Sequence, residues 1–224
     1  MKKWILPLLL IVLSNAALQA QEGFHVGARM TPLASFLINQ DDWDESAGNL
    51  DIAPTYNFGF GLHTQYSFTD YVGIAVSPFY ATWGQRYENA NTNAEWYQQL
   101  QYVRVPIAFR FNTDPYSTAM FVFETGPELG FLAGASTDAN GDIEERYDIA
   151  PEDYNGIDLS WTLNFGAGFN LSDYLTLDVL IKLDYGLSEV ESEDYKPTLI
   201  GLDNRGKTNH GVPAVVVGFN YLLN

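Results

Sequence analysis

Two neighbouring segments of the sequence carry charged residues at alternating positions. Arg104 and Arg110 lie in the first segment, and Glu124 and Glu128 lie in the second. Alternate residues of an extended strand share one face. Because a short link joins the segments, they are predicted to form a hairpin, and any register that pairs their even-numbered residues places an arginine opposite or diagonal to a glutamate. Such charges need partners, since a charge buried alone is costly.

Further charged residues fall on the corresponding face of other predicted strands. The predicted interior network has these members: Arg29, Arg104, Arg110, Glu124, Glu128, Asp178, Lys182 and Asp184. One interpretation is structural, with paired charges that fill a closed interior and fix the strand register. The other is a narrow ion path, or a gate made by rearranged pairs. The sequence leaves both open.

Catalysis has little support among the residue types present. By alternation His25 and His63 point to the same interior, whereas His210 lies at the end of a predicted long loop. His63 and Ser67 share a face four residues apart, but no acidic residue completes an activated nucleophile. No two histidines have a spacing typical of metal ligands. We therefore predict no catalytic residue, no metal site, no cofactor and no enzymatic activity.

Acidic segments separate the predicted strands, at 39–45 (NQDDWDE), 136–153 and 188–195. The middle segment resembles a calcium loop, with oxygen-bearing residues around Gly141, but it lacks the twelve-residue spacing that ends in a glutamate. Charged loops are commonly just solvated. Recognition nevertheless often resides in loops on a rigid scaffold, so protein partners are predicted to meet this face.

The elements that would position all these residues are strands with two chemically different faces. From Leu159 to Leu171 every second residue is apolar, with serine, threonine, asparagine and glycine between them. This period of two recurs along the chain. It predicts eight strands, at 23–36, 55–68, 71–83, 99–111, 118–132, 158–171, 175–187 and 212–223. Short turns alternate with long links, which predicts an all-β, eight-stranded antiparallel up-and-down transmembrane β-barrel.

The apolar face of this barrel is predicted to point into lipid. Along 55–68, aromatic residues and leucine alternate with glycine and small polar residues. Small residues suit the crowded interior of an eight-stranded barrel, and large rings suit lipid. The alternative is an exported soluble barrel that binds a small hydrophobic ligand, which requires Phe58, Phe60, Trp161 and Phe165 to line a cavity.

Prolines lie inside several predicted strands, among them Pro78, Pro106, Pro127 and Pro213. A closed barrel has no free edge, so each missing N–H removes a ladder hydrogen bond. Local irregularities are therefore predicted at these positions.

The first residues have the composition of a secretory signal peptide. Lys2 and Lys3 precede a short apolar stretch, and the small residue Ala20 ends it. We predict a signal peptide at 1–20 and one barrel domain at 21–224.

Charge and cysteine content exclude several kinds of function. The formal net charge of −17 leaves no basic surface for nucleic acid. The chain has no cysteine, so it forms neither disulfides nor thiolate metal sites.

With the strands placed, the chain resembles the PorT-like outer-membrane β-barrel family. The segments that carry the resemblance are "GFHVGARMTP" (23–32), "FGFGLHTQYSFTDYVGIAVSPFYATWGQR" (58–86), "YVRVPIAFRF" (102–111), "FVFETGPELGFLAG" (121–134) and the terminal "AVVVGFNYLLN". The resemblance implies a small barrel in the outer membrane of a Gram-negative-type bacterium, in contact with lipid and without catalytic residues. Since the family's namesake takes part in protein secretion, it also suggests a structural or interaction role as a secretion accessory.

Overall fold

The computed structural model describes residues 23–39, 50–89, 95–114, 116–140, 150–192 and 207–223. Its strands are β1 (Phe24–Ile38), β2 (Leu50–Ser67), β3 (Val72–Val76), β4 (Phe79–Asn89), β5 (Glu95–Asn112), β6 (Ala119–Asn140), β7 (Ile157–Asn170), β8 (Leu175–Gly186) and β9 (Asn209–Leu223). A short 3-10 helix, Pro151–Asp153, precedes β7. No helix within these ranges is long and apolar enough to cross a membrane.

The strands close into an antiparallel ring. β1 pairs with β2 on one side and with β9 on the other, and the remaining pairs follow chain order. β3 and β4 are two segments of one strand, because the pairing with β2 passes from Thr64↔Val76 to Gly61↔Phe79 without a change of register. The predicted eight-stranded up-and-down barrel is confirmed, with one strand divided in two.

Apolar side chains cover the outside of the ring. Phe58 and Phe60 on β2 are 69% and 67% exposed, and Trp161 on β7 is 49% exposed. His63, on the other face of β2, is fully buried. The soluble-barrel alternative needed these aromatic rings inside a cavity, so their position contradicts it.

Two of the short turns are stabilised in the same way. The hydroxyl of Thr69 accepts hydrogen bonds from the backbone N–H groups two and three residues later, at 3.2 and 3.1 Å. The hydroxyl of Ser172 does the same at 3.3 and 3.1 Å. Serine and threonine hydroxyls favour tight turns through such bonds. The similar tetrapeptides at 68–71 (FTDY) and 171–174 (LSDY) therefore have the same local role.

The third short turn gives a prediction about pH. The Asp114 carboxylate accepts hydrogen bonds from the Ser117 hydroxyl (2.6 Å) and from the Tyr116 N–H (3.0 Å), which lower the pKa of Asp114. A lowered folded-state pKa stabilises the fold above the unfolded value, and this stabilisation is lost as pH falls through the folded value. We expect an NMR titration to place the Asp114 midpoint below that of an ordinary aspartate, and Ser117→Ala to raise it. An unchanged midpoint in that variant would contradict the assignment.

The strand prolines coincide with gaps in the pairing. The divided strand is interrupted at Ser77 and Pro78, and Pro106 lies opposite this interruption. The β5–β6 pairing lacks the pair opposite Pro127, and the β1–β9 pairing lacks the pair opposite Pro213. The irregularities predicted at these four prolines are confirmed.

At the long-loop end, β4, β5 and β6 continue beyond the apolar band as a projecting sheet. β4 and β5 pair as far as Glu88↔Glu95, and β5 and β6 as far as Glu95↔Asn140. The long links implied by the predicted strands, 84–98 and 133–157, are therefore wrong at 84–89, 95–98 and 133–140, which are strand. The outer faces here carry mainly polar residues, such as glutamine, glutamate and arginine, and the one large ring of β5 among them is the amphipathic Tyr97. Without an apolar outer face, the alternation that marks a strand in lipid is lost.

Candidate functional site

The eight residues of the predicted network lie inside the barrel in two layers. The layer nearer the short turns contains Arg29, Arg110, Glu124 and Asp178, all less than a tenth exposed. Arg29 Nη2 lies 2.7 Å from Glu124 Oε1, and Arg110 Nη1 lies 2.6 Å from Asp178 Oδ2. Each arginine also reaches the second anion, at 3.3 Å for Arg29 and 2.8 Å for Arg110. The layer thus balances two cations with two anions, contributed by β1, β5, β6 and β8.

Both anions of this first layer accept further hydrogen bonds. Asn164 Nδ2 donates to Glu124 Oε2 at 2.9 Å, and Asn220 Nδ2 donates to Asp178 Oδ2 at 2.7 Å. A buried ion pair is tolerated when additional bonds satisfy its remaining lone pairs. Both asparagines have the inward parity of their strands, but neither was among the predicted members of the network.

His63 also belongs to the first layer, but with a different serine from the one considered above. His63 Nδ1 lies 2.7 Å from Ser77 Oγ, and Nε2 lies 3.5 Å from Arg29 Nη2. Ser67 instead accepts a hydrogen bond from Gln65. Because a guanidinium only donates, the nitrogen facing it is the acceptor, so the ring proton resides on Nδ1 and is donated to Ser77. In this tautomer His63 cannot take a proton from Ser77, so the pair is not an activated nucleophile.

The second layer lies closer to the long loops. Arg104 forms ion pairs with Glu128 and, at 2.5 Å, with Asp158. Lys182 Nζ lies 2.7 Å from a carboxylate oxygen of Glu128 and 2.7 Å from one of Asp184. All five residues are buried. Arg104 therefore connects β5 to β6 and β7, while Lys182 connects β8 to β6.

Two members of this second layer were missed in the sequence analysis. Asp158 pairs with Arg104, and Ser160 Oγ accepts a hydrogen bond from Arg104 Nη2 at 2.7 Å. Between the apolar residues of 159–171 the sequence has only serine, threonine, asparagine and glycine. Asp158 lies on the same face, one residue before the alternating pattern that begins at Leu159. Because Asp158 is two residues from Ser160, the alternation could have predicted that it points inward.

An apolar cluster fills the lumen beyond the second layer. The Trp83 ring centroid lies 3.8 Å from the guanidinium carbon of Arg104, 5.4 Å from the Tyr102 ring and 4.4 Å from the His210 ring. The other buried members are Leu33, Leu37, Phe79, Ala81, Leu100, Tyr154, Val190, Val212 and Ala214. His210 was predicted to end a loop, but it lies within β9, which begins earlier than expected. A barrel core is thus charged toward one end and apolar toward the other.

Segments of two long links fold over the apolar cluster. Tyr154, from the β6–β7 link, forms a β-bridge with Glu191, from the β8–β9 link. The Thr208 hydroxyl donates to Glu191 Oε2 at 2.7 Å, and the Val190 N–H donates to the Thr208 carbonyl at 2.9 Å. These bonds hold Tyr154 and Val190 against the cluster and cover the lumen at this end.

The described residues contain no continuous polar bore. Arg104 and Glu128, which the channel alternative placed beside such a bore, are both completely buried. At the short-turn end a vestibule of about 80 Å³ is lined by Arg110 among other residues. The lumen beyond it is filled by the first layer, the second layer and the apolar cluster.

Because the lumen is filled, the protein is predicted not to conduct ions. In planar bilayers we expect the purified protein to give no conductance steps, because no water-filled path passes the two charged layers. Bilayers that receive the same detergent without protein provide the baseline. Reproducible steps whose size changes in an Arg104→Ala variant would contradict a filled lumen and favour the channel alternative.

The acidic segments are only partly described. Residues 40–45, 141–149 and 193–195 lie outside the described residues, as does the predicted signal peptide at 1–20. Most of the candidate calcium loop is therefore not placed. Among the residues that are placed, no group of three histidine, aspartate or glutamate side chains is arranged to hold a metal ion.

Comparison with known families decides the class of the protein. The family model described as an outer membrane protein beta-barrel domain matches residues 19–191. The chain belongs to this family. It is an outer-membrane β-barrel protein, with its apolar band in the bilayer. In such barrels the short turns face the periplasm and the long loops face the exterior, so the vestibule opens to the periplasm and the projecting sheet lies outside the cell.

Solved structures of outer-membrane proteins have a similar chain path. Neisserial surface protein A is 14% identical, covers 90% of this chain and 97% of its own, and has a TM-score of 0.48. Ail of Yersinia pestis, solved with the heparin analogue sucrose octasulfate, is 13% identical, with 89% and 99% covered and a TM-score of 0.44. OprG from Pseudomonas aeruginosa is 13% identical, with 91% and 97% covered and a TM-score of 0.42. A search of curated protein sequences gave no match.

Proposed function

We propose that this outer-membrane barrel is a non-enzymatic interaction protein that presents the projecting sheet to a protein partner outside the cell. The observation that carries the proposal is the continuous pairing of β4, β5 and β6 beyond the lipid-facing band, up to Glu88↔Glu95 and Glu95↔Asn140. A filled lumen suits an anchor rather than a conduit. A rigid, paired sheet above the membrane limits the ordering entropy that binding costs.

The outer face of the projecting sheet is organised by polar contacts. Arg86 lies 2.7 Å from Glu88 and 3.2 Å from Glu95, and the Tyr97 hydroxyl donates to Glu95 at 2.7 Å. The bond to Glu95 raises the pKa of Tyr97. Surface pairs of this kind contribute little stability, but they keep the Tyr97 ring in place as an amphipathic contact.

The charge of the protein suggests the chemistry of the partner. The chain has a formal net charge of −17, and its acidic segments follow the strands at the extracellular end. A partner with a basic surface would associate faster through this field. The resemblance to the PorT-like family supports a component of a protein-secretion assembly as that partner.

Site-specific cross-linking tests the interaction surface. Since the chain has no cysteine, a photo-cross-linker can be attached at Gln99→Cys on the projecting sheet and, as a matched control, at Asp173→Cys in a periplasmic turn. We expect protein adducts on intact cells from position 99 and not from position 173. Equal adducts at both positions, or none at 99, would contradict an extracellular partner.

The secretion role has a separate readout. We expect deletion of the gene to reduce the amount of protein secreted across the outer membrane, and a Tyr97→Ala/Gln99→Ala/Gln101→Ala variant to fail to restore it. Phe58→Leu, a change in the lipid-facing band, should restore secretion fully. Normal secretion in the deletion strain would exclude the secretion role while leaving the cross-linking result to decide the interaction role.

A further inference from the structure

The barrel wall lacks two ladder hydrogen bonds where the divided strand is interrupted. The Leu62 N–H donates to the Pro78 carbonyl at 2.9 Å, and the Ser77 N–H donates to the Pro106 carbonyl at 3.3 Å. In each of these antiparallel pairs the reciprocal bond would come from the proline, which has no N–H. The carbonyl oxygens of Leu62 and Ser77 therefore have no ladder donor opposite them.

A recess of about 510 Å³ lies on the outer surface at this interruption. Its lining includes Ala28, Arg29, Gly61, Leu62, Pro78 and Phe79. Gly61 permits the close approach of the two strands, because a Cβ there would lie 2.5 Å from Phe79 Cα and still closer to the Pro78 carbonyl oxygen. The recess is shallow and open on its outer side.

The recess is continuous with the lipid-facing surface. Phe60, Leu62 and Tyr80 beside it are exposed members of the apolar band. Gly61 lies six residues before the periplasmic end of β2, which places it roughly 15 Å along a tilted strand, near the middle of the bilayer. Molecules that reach the recess must therefore come from the hydrocarbon region.

A smaller cavity of about 20 Å³ lies on the inner side of the same wall. It shares Arg29, Leu62 and Phe79 with the recess, and Ser77 and Lys182 also line it. Arg29 Nε has no hydrogen-bond partner among the described residues. The interruption thus brings together backbone acceptors that lack a ladder donor, a buried cationic donor on Arg29 and an apolar recess.

We propose that the recess binds a single-chain amphiphile from the bilayer, a linear aliphatic chain with a hydroxyl or carboxylic acid head. The chain lies in the recess, and the head lies at the interruption beside Ser77 and Pro78. Its O–H donates to the carbonyl oxygen of Leu62 or Ser77, which has no ladder donor opposite it, and its oxygen accepts a hydrogen bond from Arg29. A phospholipid cannot supply this head, because its polar group remains at the bilayer surface.

Equilibrium binding to the full chain in phospholipid nanodiscs tests the proposal, with radiolabelled dodecan-1-ol and dodecane as probes. We expect a saturable component of roughly one dodecanol per barrel above the partitioning into empty nanodiscs. Dodecane, which lacks the donor, should bind about tenfold more weakly or not at all. Equal affinities would show that the recess is an apolar groove without a head site, and would overturn the proposal.

Three variants locate the binding. Ala28→Trp fills the recess without altering the ladder and should abolish the saturable component, whereas Ala167→Trp, on the lipid-facing side of β7, should retain it. Pro78→Ala/Pro106→Ala supplies both missing N–H groups and should reduce dodecanol binding to the level of dodecane. Saturable binding that persists in Ala28→Trp overturns the proposed site. A heat-dependent gel shift verifies folding, and if the double variant does not fold, the Ala28→Trp result and the dodecane comparison decide.

Discussion

Replacing Glu124 by alanine is expected to lower the free energy of unfolding by about 3–5 kcal/mol, because the change strands a buried cation. Arg29 and Arg110 each lie within 2.8 Å of a Glu124 oxygen. Without Glu124 they share one anion, Asp178, and the first layer has two cations against one carboxylate. Water in the vestibule beside Arg110 compensates only in part, since all four side chains are less than a tenth exposed.

Urea unfolding in phospholipid vesicles measures this effect. Asp173→Ala removes an exposed carboxylate from a periplasmic turn and should change the unfolding free energy little. Glu124→Ala/Arg110→Met restores a balance of one cation and one anion, so it should recover part of the loss. If Glu124→Ala is no more destabilising than the Asp173 control, the first layer does not stabilise the barrel.

Replacing Trp83 by alanine is expected to cost about 3–5 kcal/mol, the usual range for removal of a large buried aromatic ring. Trp83 is 3% exposed and is the member of the apolar cluster that contacts Arg104 of the second layer. Its loss would open a cavity and also remove the ring that stacks on Arg104 at 3.8 Å. Both losses act on the same point of the lumen.

The matched control for Trp83 is an aromatic residue on the lipid-facing surface. Phe58→Ala should cost much less, because lipid chains replace the lost contacts and no hydrophobic transfer is involved. The two variants are compared by urea unfolding and by the temperature of the gel-mobility shift. Equal losses would mean that the interior at Trp83 is no more tightly packed than the lipid-facing surface.

The sequence predicted which face each strand residue would occupy, because lipid outside and a crowded lumen inside impose opposite chemistry on alternate positions. The parity of Arg104, Glu128 and Lys182 was therefore sufficient to place them inside. Their pairing across the lumen was not predictable, since it depends on ring closure and not on sequence distance. His63 accordingly contacts Ser77 from the neighbouring strand rather than Ser67 from its own.

The projecting sheet escaped prediction for a related reason. Above the bilayer the outward side chains, such as Gln99 and Gln101, are as polar as many inward ones, so the contrast between faces that marks strands within lipid is absent. The prolines were more informative. Pro78 and Pro106 each predicted a local irregularity. The recess, however, forms because the two prolines lie at the same interruption of neighbouring strands, and only the strand register shows this.

The origin of the first-layer charges sets an order for assembly. Arg110 and Glu124 are separated by 14 positions and meet when one hairpin forms, whereas Arg29 is 95 positions from Glu124 and 149 from Asp178. Contacts between distant residues form slowly, because the intervening chain must lose conformational entropy before the contact can form. Until β1 pairs with β9, Arg29 of a partly inserted chain lies in the bilayer without its carboxylate partners Glu124 and Asp178. Half-closed rings are thereby disfavoured, so the first-layer charges favour the fully closed barrel over a partly closed one.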